Sequence, residues 1–190
     1  MIAASRKKFT LDEYHRLVDL GFFTENDKIE LIRGEIIEMS PKRTSHSVCN
    51  SILFGELYSL LRDRANVRGQ EPIILADSEP EPDVVIAKQK DDNYLSAHPI
   101  PEDVILIIEI SDSTLQYDRE TKLTLYAEAG INHYWIINLV ENHLEVYSNS
   151  FANSQGKFGY RHKSIILPCE TVSIPSFGKI TLELSLVFPT

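Results

Sequence analysis

Residues 104–111, Val-Ile-Leu-Ile-Ile-Glu-Ile-Ser, form the most apolar stretch of the chain and decide its fold class. An uninterrupted apolar run is typical of a β-strand buried on both faces, because a half-exposed strand would alternate. Helical patterns lie on either side of it in sequence, at residues 45–64 and 116–129. We therefore predict an α/β (α+β) fold with a mixed central β-sheet flanked by helices.

An N-terminal helix and a β-hairpin precede this core. Thr10 and Glu13 fit a capping box at the start of a helix, and Arg33-Gly34 separates two short apolar runs in a typical hairpin pattern. The predicted strands are residues 28–32, 35–39, 73–76, 83–87, 133–139 and 144–147, followed by a hairpin loop at 148–156 and short strands between 165 and 188.

A chain of 190 residues has the length of one ordinary domain and is short for two. It shows no internal repeat and no linker, since its most loop-like stretch, residues 88–103, lies between two predicted strands. We expect residues 1–190 to form a single domain. It divides into a helix and hairpin extension (1–44), a core (45–148) and C-terminal strands (149–190).

Composition limits the possible functions. The 19 basic and 28 acidic residues give a net charge of −9, which argues against sequence-independent coating of nucleic acid. The cysteines, Cys49 and Cys169, form no CxxC pair, which argues against a zinc ribbon or disulfide scaffold. No apolar run is long enough for a membrane span or a signal peptide, so we expect a cytoplasmic protein without membrane contact.

Glu109 is the one charged residue inside the apolar stretch. Burying an unpaired carboxylate is costly or raises its pKa, so a carboxylate at this place marks a candidate functional site. Two structural alternatives stay open at this point. Glu109 could face solvent at a sheet edge, or it could pair with a buried lysine or arginine.

Asp83 follows Glu81-Pro82 and opens a predicted strand. Taken alone, it fits a turn aspartate equally well. If its strand and the strand of Glu109 form a hairpin, however, the two carboxylates lie side by side. Paired carboxylate oxygens suit a hard divalent cation such as Mg²⁺.

Lys122 lies on the helix predicted after the strand of Glu109. Asp118, Lys122 and Tyr126 are spaced i, i+4, i+8 and therefore share one helix face. If that face meets the strand ends, the Lys122 ammonium could stabilise negative charge in a transition state or position a water. The alternative is an exposed ion pair between Asp118 and Lys122.

An ordered set of short motifs resembles the Uma2 family (DUF820) of the PD-(D/E)xK nuclease superfamily. No single motif is specific, but their order along nearly the whole chain is. They are Phe9-Thr10-Leu11-Asp12-Glu13-Tyr14, Glu30-Leu31-Ile32-Arg33-Gly34-Glu35, Met39-Ser40-Pro41, His46, Glu81-Pro82-Asp83-Val84, Ile108-Glu109-Ile110-Ser111-Asp112-Ser113-Thr114, Asp118, Lys122, Tyr126, Gly130 and Tyr134-Trp135-Ile136-Ile137.

The resemblance implies a restriction-endonuclease-like core, Mg²⁺ (or Mn²⁺) as cofactor and cleavage of phosphodiester bonds, in DNA by family analogy. Asp83 matches the aspartate of the motif, Glu109 matches its second carboxylate, and the Ile110 carbonyl would complete the metal ligands. The motif lysine is expected two residues after Glu109, where this chain has Ser111. In sequences similar to Uma2 the lysine lies on the next helix, which implies Lys122 here.

Several further residues are possible accessories of this site. His46 starts its helix and could help to bind a metal or a water, although a core or capping role fits it as well. Glu35 and Glu38 could add a carboxylate. Ser111, Asp118 and Tyr126 belong to the matched motifs. Related nucleases act as dimers because two strands need two cuts, so a homodimer is expected.

Three hypotheses about function remain open. The first is a metal-dependent endonuclease that binds DNA locally and uses Asp83, Glu109 and Lys122. The second is a catalytically inactive nuclease-fold module for nucleic-acid or protein binding, suggested by Ser111 and the net charge of −9. The third is an unrelated enzyme with Asp83 and Glu109 as general acid and base, which no triad, phosphate loop or dinucleotide motif supports.

Overall fold

The computed structural model describes residues 6–24 and 27–189. Short 3₁₀ and π-helical turns, Pro101–Asp103 and Asp118–Lys122, accompany the main elements. In chain order these elements are α1 (Leu11–Asp19), β1 (Ile29–Ile32), β2 (Glu35–Glu38), α2 (Thr44–Leu61), β3 (Asn66–Gly69), β4 (Val84–Ala87), β5 (Val104–Ser111), α3 (Leu115–Tyr117), α4 (Leu123–Glu128), β6 (His133–Asn138), β7 (His143–Ala152), β8 (Phe158–Ile166), β9 (Thr171–Ser173), β10 (Thr181–Glu183) and α5 (Leu184–Val187).

A six-stranded mixed sheet forms the centre, in the order β3-β4-β5-β6-β7-β8. Strands β5 and β6 are parallel, and the other neighbours are antiparallel. Parallel strands need a long crossover, and the helical segment containing α3 and α4 supplies it. The predicted fold class, a mixed sheet flanked by helices, is confirmed.

Strand β5 is buried on both faces, as its composition predicts. Its alternate residues enter two separate cores, because successive side chains of a strand point to opposite faces. Ile108 packs in one core with Leu57 of α2, and Ile107 packs in the other with Leu125 of α4. Glu109 points to the same face as Ile107, toward α4.

The hairpin of β1 and β2 lies outside the central sheet and is tied to it through one loop. Arg33 and Gly34 both have positive φ, of 51° and 75°, as the predicted two-residue turn requires. The amide of Glu79 donates to the carbonyl of Leu31 at 2.7 Å, which attaches β1 to the loop before β4. Thr10 and Glu13 form the predicted capping box of α1.

Some predicted elements differ from the structure. Residues 73–76 form a loop in which Ile73 and Leu75 are buried. The amides of these two residues donate to carbonyls of the same loop, those of Pro80 and Ser78. The apolar character of Ile73 and Leu75 reflects burial, and β3 pairs with β4 instead. The predicted loop at 148–156 begins too early, because β7 extends to Ala152 before a turn at 153–157. The helix predicted at 116–129 contains the π-helical turn.

The C-terminal part contributes a two-stranded antiparallel sheet of β9 and β10 and the single turn α5. Val172, Leu182 and Leu184 pack in the core on the α2 side. Within the described ranges, none of the helices combines the length and the apolar character that a membrane crossing requires.

Candidate active site

The structure brings Asp83 and Glu109 together at one end of the central sheet. Val84 of β4 pairs with Ile108 of β5, so Asp83 lies beside Glu109 just beyond this pair. The Asp83 amide donates to Glu109 Oε2 at 3.3 Å, and the Ile110 amide donates to Asp83 Oδ2 at 2.9 Å. Both carboxylates are buried. Asp83 is therefore not merely a turn aspartate, and Glu109 does not face solvent at a sheet edge.

Asp83 is held as a carboxylate by the groups around it. His46 Nε2 lies 3.0 Å from Asp83 Oδ2, and Lys42 Nζ lies 3.5 Å from Asp83 Oδ1. Burial alone would raise the pKa of Asp83, but the His46 contact, the Ile110 amide and the Lys42 ammonium together outweigh burial and lower it. His46 therefore faces the site from the first turn of α2.

Glu109 has a different environment from Asp83. Burial raises the pKa of Glu109 to about 8, although the nearby Lys122 ammonium acts in the opposite direction. Lys122 Nζ and the Tyr126 hydroxyl both donate to Glu109 Oε1, at 3.0 and 2.8 Å. Glu109 is thus a buried carboxylate with a buried lysine partner, which was one of the structural alternatives.

Lys122 reaches Glu109 from the π-helical turn between α3 and α4. The Leu123 amide donates to the carbonyl of Asp118, five residues earlier, which widens the helix at this point. Lys122 and Asp118 are both buried, so the exposed ion-pair alternative is wrong. Burial would lower the pKa of Lys122, but Glu109, Glu30 and Asp118 raise it well above its usual range.

Asp118 accepts hydrogen bonds from two hydroxyls below the site. The hydroxyls of Ser111 and Thr114 each donate to Asp118 Oδ2 at 2.7 Å. Ser111, which stands where the motif lysine is expected, therefore anchors the π-helical turn that carries Lys122. Burial raises the pKa of Asp118.

Glu30 of β1 is a fourth buried carboxylate at this site, and it was not among the residues predicted from the sequence. Its Oε2 lies 3.3 Å from Lys122 Nζ and accepts from the Glu81 amide at 3.3 Å. Of the two acids suggested instead, Glu38 is exposed and lines the cavity, whereas Glu35 does not line it. The pattern that identified Glu109, an acidic residue inside an apolar strand, could also have identified Glu30.

A cavity of about 300 Å³ opens over these residues. Among the residues that the structure describes, its lining has an excess of formal negative charge, because seven carboxylates face three Lys or Arg side chains. The carboxylates belong to Glu30, Glu38, Glu81, Asp83, Glu109, Asp112 and Asp118, and the cations belong to Lys42, Arg43 and Lys122.

The donor set at this cavity fits a divalent cation. Asp83 uses Oδ2 for His46 and for the Ile110 amide, which leaves Oδ1 beside Lys42. The N–H and C=O of a strand residue point to the same side, so the Ile110 carbonyl faces the Asp83 side as its amide does. Asp83, Glu109 and Ile110 together offer the oxygen ligands that Mg²⁺ prefers.

A second acidic group lies elsewhere, around the turn between β6 and β7. Potential ligand atoms of Glu141, His143 and Glu145 lie within 4.8 Å of one another. Burial would raise the pKa of Glu145, but hydrogen bonds from Arg119 and Lys163 outweigh it and lower the pKa. Because protein cations already neutralise Glu145, this group is an ion-pair network.

Comparison with known proteins places the chain in a family. The Uma2 family profile, described as "Putative restriction endonuclease", matches residues 11–185. No curated protein matches the chain. One solved structure is described as "a putative nuclease belonging to DUF820" from Anabaena variabilis. It is 18% identical, has a TM-score of 0.71, and aligns over 95% of this chain and 97% of its own.

The type IIG restriction endonuclease BpuSI is also 18% identical. It aligns over 55% of this chain and 11% of its own, and its TM-score of 0.37 is too low to bear on the fold. The Anabaena structure supports the fold described above, and the profile match covers most of the chain. The chain belongs to the Uma2 family.

Proposed function

We propose that the protein is a Mg²⁺-dependent endonuclease that hydrolyses phosphodiester bonds in DNA. The observation that carries this proposal is the buried pair of Asp83 and Glu109 at the sheet end, with Lys122 Nζ 3.0 Å from Glu109. A buried cluster of this kind is costly to fold, and such sites are typical of catalysis. Membership in a family described as restriction endonucleases gives the reaction class.

Asp83, Glu109 and the Ile110 carbonyl would hold the metal. A bound Mg²⁺ or Mn²⁺ would supply a water of lowered pKa and neutralise charge on the scissile phosphate. His46 and the Ile110 amide fix the orientation of Asp83, while Tyr126 fixes that of Glu109.

Lys122 takes the role of the displaced motif lysine in this proposal. Its ammonium is buried, keeps its proton and stands beside Glu109, so it can stabilise negative charge that develops on the phosphate. Glu30 holds Lys122 from the other side, which limits its movement. The excess of carboxylates in the cavity explains why phosphate would need a metal cation there.

The test combines metal binding with cleavage. Titration of Mn²⁺ followed by calorimetry should show saturable binding that Asp83→Asn abolishes and the matched control Glu141→Gln retains. Plasmid DNA, single-stranded DNA and RNA should then be incubated with Mg²⁺, Mn²⁺ or a chelator. Cleavage of DNA that requires metal and is lost in Glu109→Gln supports the proposal. Binding that survives Asp83→Asn contradicts the assigned site.

The second candidate is a non-catalytic nuclease-fold module. Ser111 in place of the motif lysine and the net charge of −9 favour it. It predicts neither Mn²⁺ affinity nor cleavage of any nucleic acid. A homodimeric state and a cytoplasmic location stay predictions, and light scattering of the purified protein tests the first.

A further inference from the structure

A second cavity, of about 620 Å³, adjoins the first. The two cavities share one wall, formed by residues 38–42 and Glu81. Residues 38–42 contain the end of β2 and lead into the loop before α2. A polymer bound at the carboxylate pair and leaving on this side would therefore enter the second cavity directly.

Lys42 lines both cavities. Its side chain is 37% exposed, and its ammonium lies 3.5 Å from Asp83 Oδ1. Lys28 lines the second cavity and is exposed, and its carbonyl accepts from the Met39 amide at 2.7 Å, which joins it to the shared wall. Two cations thus stand along a path that leads away from the carboxylate pair.

The acidic residues of the second cavity oppose these cations only in part. Asp27 is engaged by Thr24, whose amide and hydroxyl donate to its Oδ2 at 2.7 and 2.9 Å. Glu38 and Glu81 are the other carboxylates among the described residues of this lining. Lys28 forms no ion pair with a described residue, so its positive charge is available to an anion, whereas Lys42 would contact a phosphate in addition to Asp83.

Gln70 and Phe23 give this cavity groups that suit a nucleobase. Gln70 has a φ of 54°, in the left-handed region that non-glycine residues rarely adopt, and its amide donates to the carbonyl of Asp83 at 3.1 Å. Its exposed carboxamide can donate and accept hydrogen bonds as base edges require. Phe23 is half-buried and offers an aromatic surface for base stacking.

We propose that the second cavity binds the nucleotide that follows the scissile phosphate in a nucleic-acid strand, with Lys42 contacting the phosphate between the two cavities. This inference rests on the proposed function, since it places the substrate strand relative to the carboxylate pair. It goes further by naming Lys42 and Gln70 as substrate-binding residues, a role that the motif comparison gives to neither.

The test measures binding of a fluorescently labelled single-stranded oligodeoxynucleotide in Ca²⁺, over a range of salt concentrations. Lys42→Ala should weaken binding about tenfold and reduce the slope of log affinity against log salt by about 0.7 to 1. Gln70→Ala should weaken binding about threefold without a change in that slope. Lys157→Ala and Gln155→Ala, in the turn after β7, are the matched controls and should bind normally.

Three results would overturn the inference. In the first, the wild type binds and cleaves DNA, but Lys42→Ala binds the oligonucleotide as tightly as Lys157→Ala does. The substrate strand then does not pass through the second cavity, and the proposed function stands. If AMP alone displaces the oligonucleotide fully, the cavity is a mononucleotide site. If the wild type binds Mn²⁺ but no oligonucleotide and cleaves nothing, the proposed function fails as well.

Discussion

Lys122 Nζ lies 3.0 Å from Glu109 Oε1, although the two residues are 13 positions apart and belong to different elements. The parallel crossover from β5 to β6 makes this contact possible, because it returns the chain over the face to which Glu109 points. The π-helical turn then directs Lys122 toward the strand end. The site is therefore a consequence of topology, and the Lys122 ammonium lowers the cost of ionising the buried Glu109.

Loss of Lys122 should affect both stability and cleavage. Lys122→Met should lower the free energy of unfolding by about 3 kcal/mol at pH 9, because it leaves Glu109 and Glu30 buried without their cation. The loss should be smaller at pH 6, where Glu109 is protonated. Cleavage should fall by about a hundredfold or more. Denaturant unfolding at both pH values measures the first effect, and an unchanged stability would contradict the ion-pair assignment.

Metal affinity should rise with pH. The raised pKa of Glu109, about 8, means that a proton competes with the cation below this pH. Between pH 6 and 8 the affinity for Mn²⁺ should therefore increase by up to about tenfold per pH unit, and it should level off above pH 8. Protonation of Asp83 does not change the Mn²⁺ affinity in this pH range, because its pKa is lowered. In Glu109→Gln the residual affinity should be weak and independent of pH between 6 and 9.

Part of the candidate site could be predicted from the sequence alone. Glu109 and Asp83 could be identified because a charge in an apolar strand and a carboxylate at a strand start are local patterns. That they lie side by side followed from one assumption, an antiparallel pair, which β4 and β5 form. Helical spacing places Asp118, Lys122 and Tyr126 on one face, and all three are buried. That this face covers the end of β5 depends on the parallel crossover to β6, which no local pattern contains.

Glu30 is a residue of the candidate site that was not predicted from the sequence. The same reasoning that identified Glu109 applies to it, but the strand of Glu30 is only four residues long and reads as part of a hairpin. The strand predicted at residues 73–76 was wrong for the opposite reason, because the apolar residues there are buried in a loop. Loop burial depends on tertiary contacts such as that between Glu79 and Leu31, which no local pattern contains.

Glu145 should be structural and unrelated to the metal. Its lowered pKa means that it stabilises the fold above the unfolded-state pKa, and that this stabilisation is lost as the pH falls toward the folded-state pKa. Glu145→Gln should lower the free energy of unfolding by about 2 kcal/mol at pH 7, and the difference from wild type should shrink below pH 4. Mn²⁺ titration of this variant should match wild type; a weaker affinity would make the second acidic group a metal site.

His46 should act by positioning Asp83. Its Nε2 lies 3.0 Å from Asp83 Oδ2 and is the main influence that keeps the pKa of Asp83 low against burial. His46→Ala should therefore weaken Mn²⁺ binding about tenfold, the effect typical of losing a residue that orients a metal ligand. His46→Gln retains a donor and should recover part of the affinity, whereas a direct metal ligand would not be replaced in this way. Calorimetry of both variants at pH 8 separates the two roles. Equal affinity in His46→Ala and wild type would mean that the Ile110 amide and Lys42 suffice to hold Asp83.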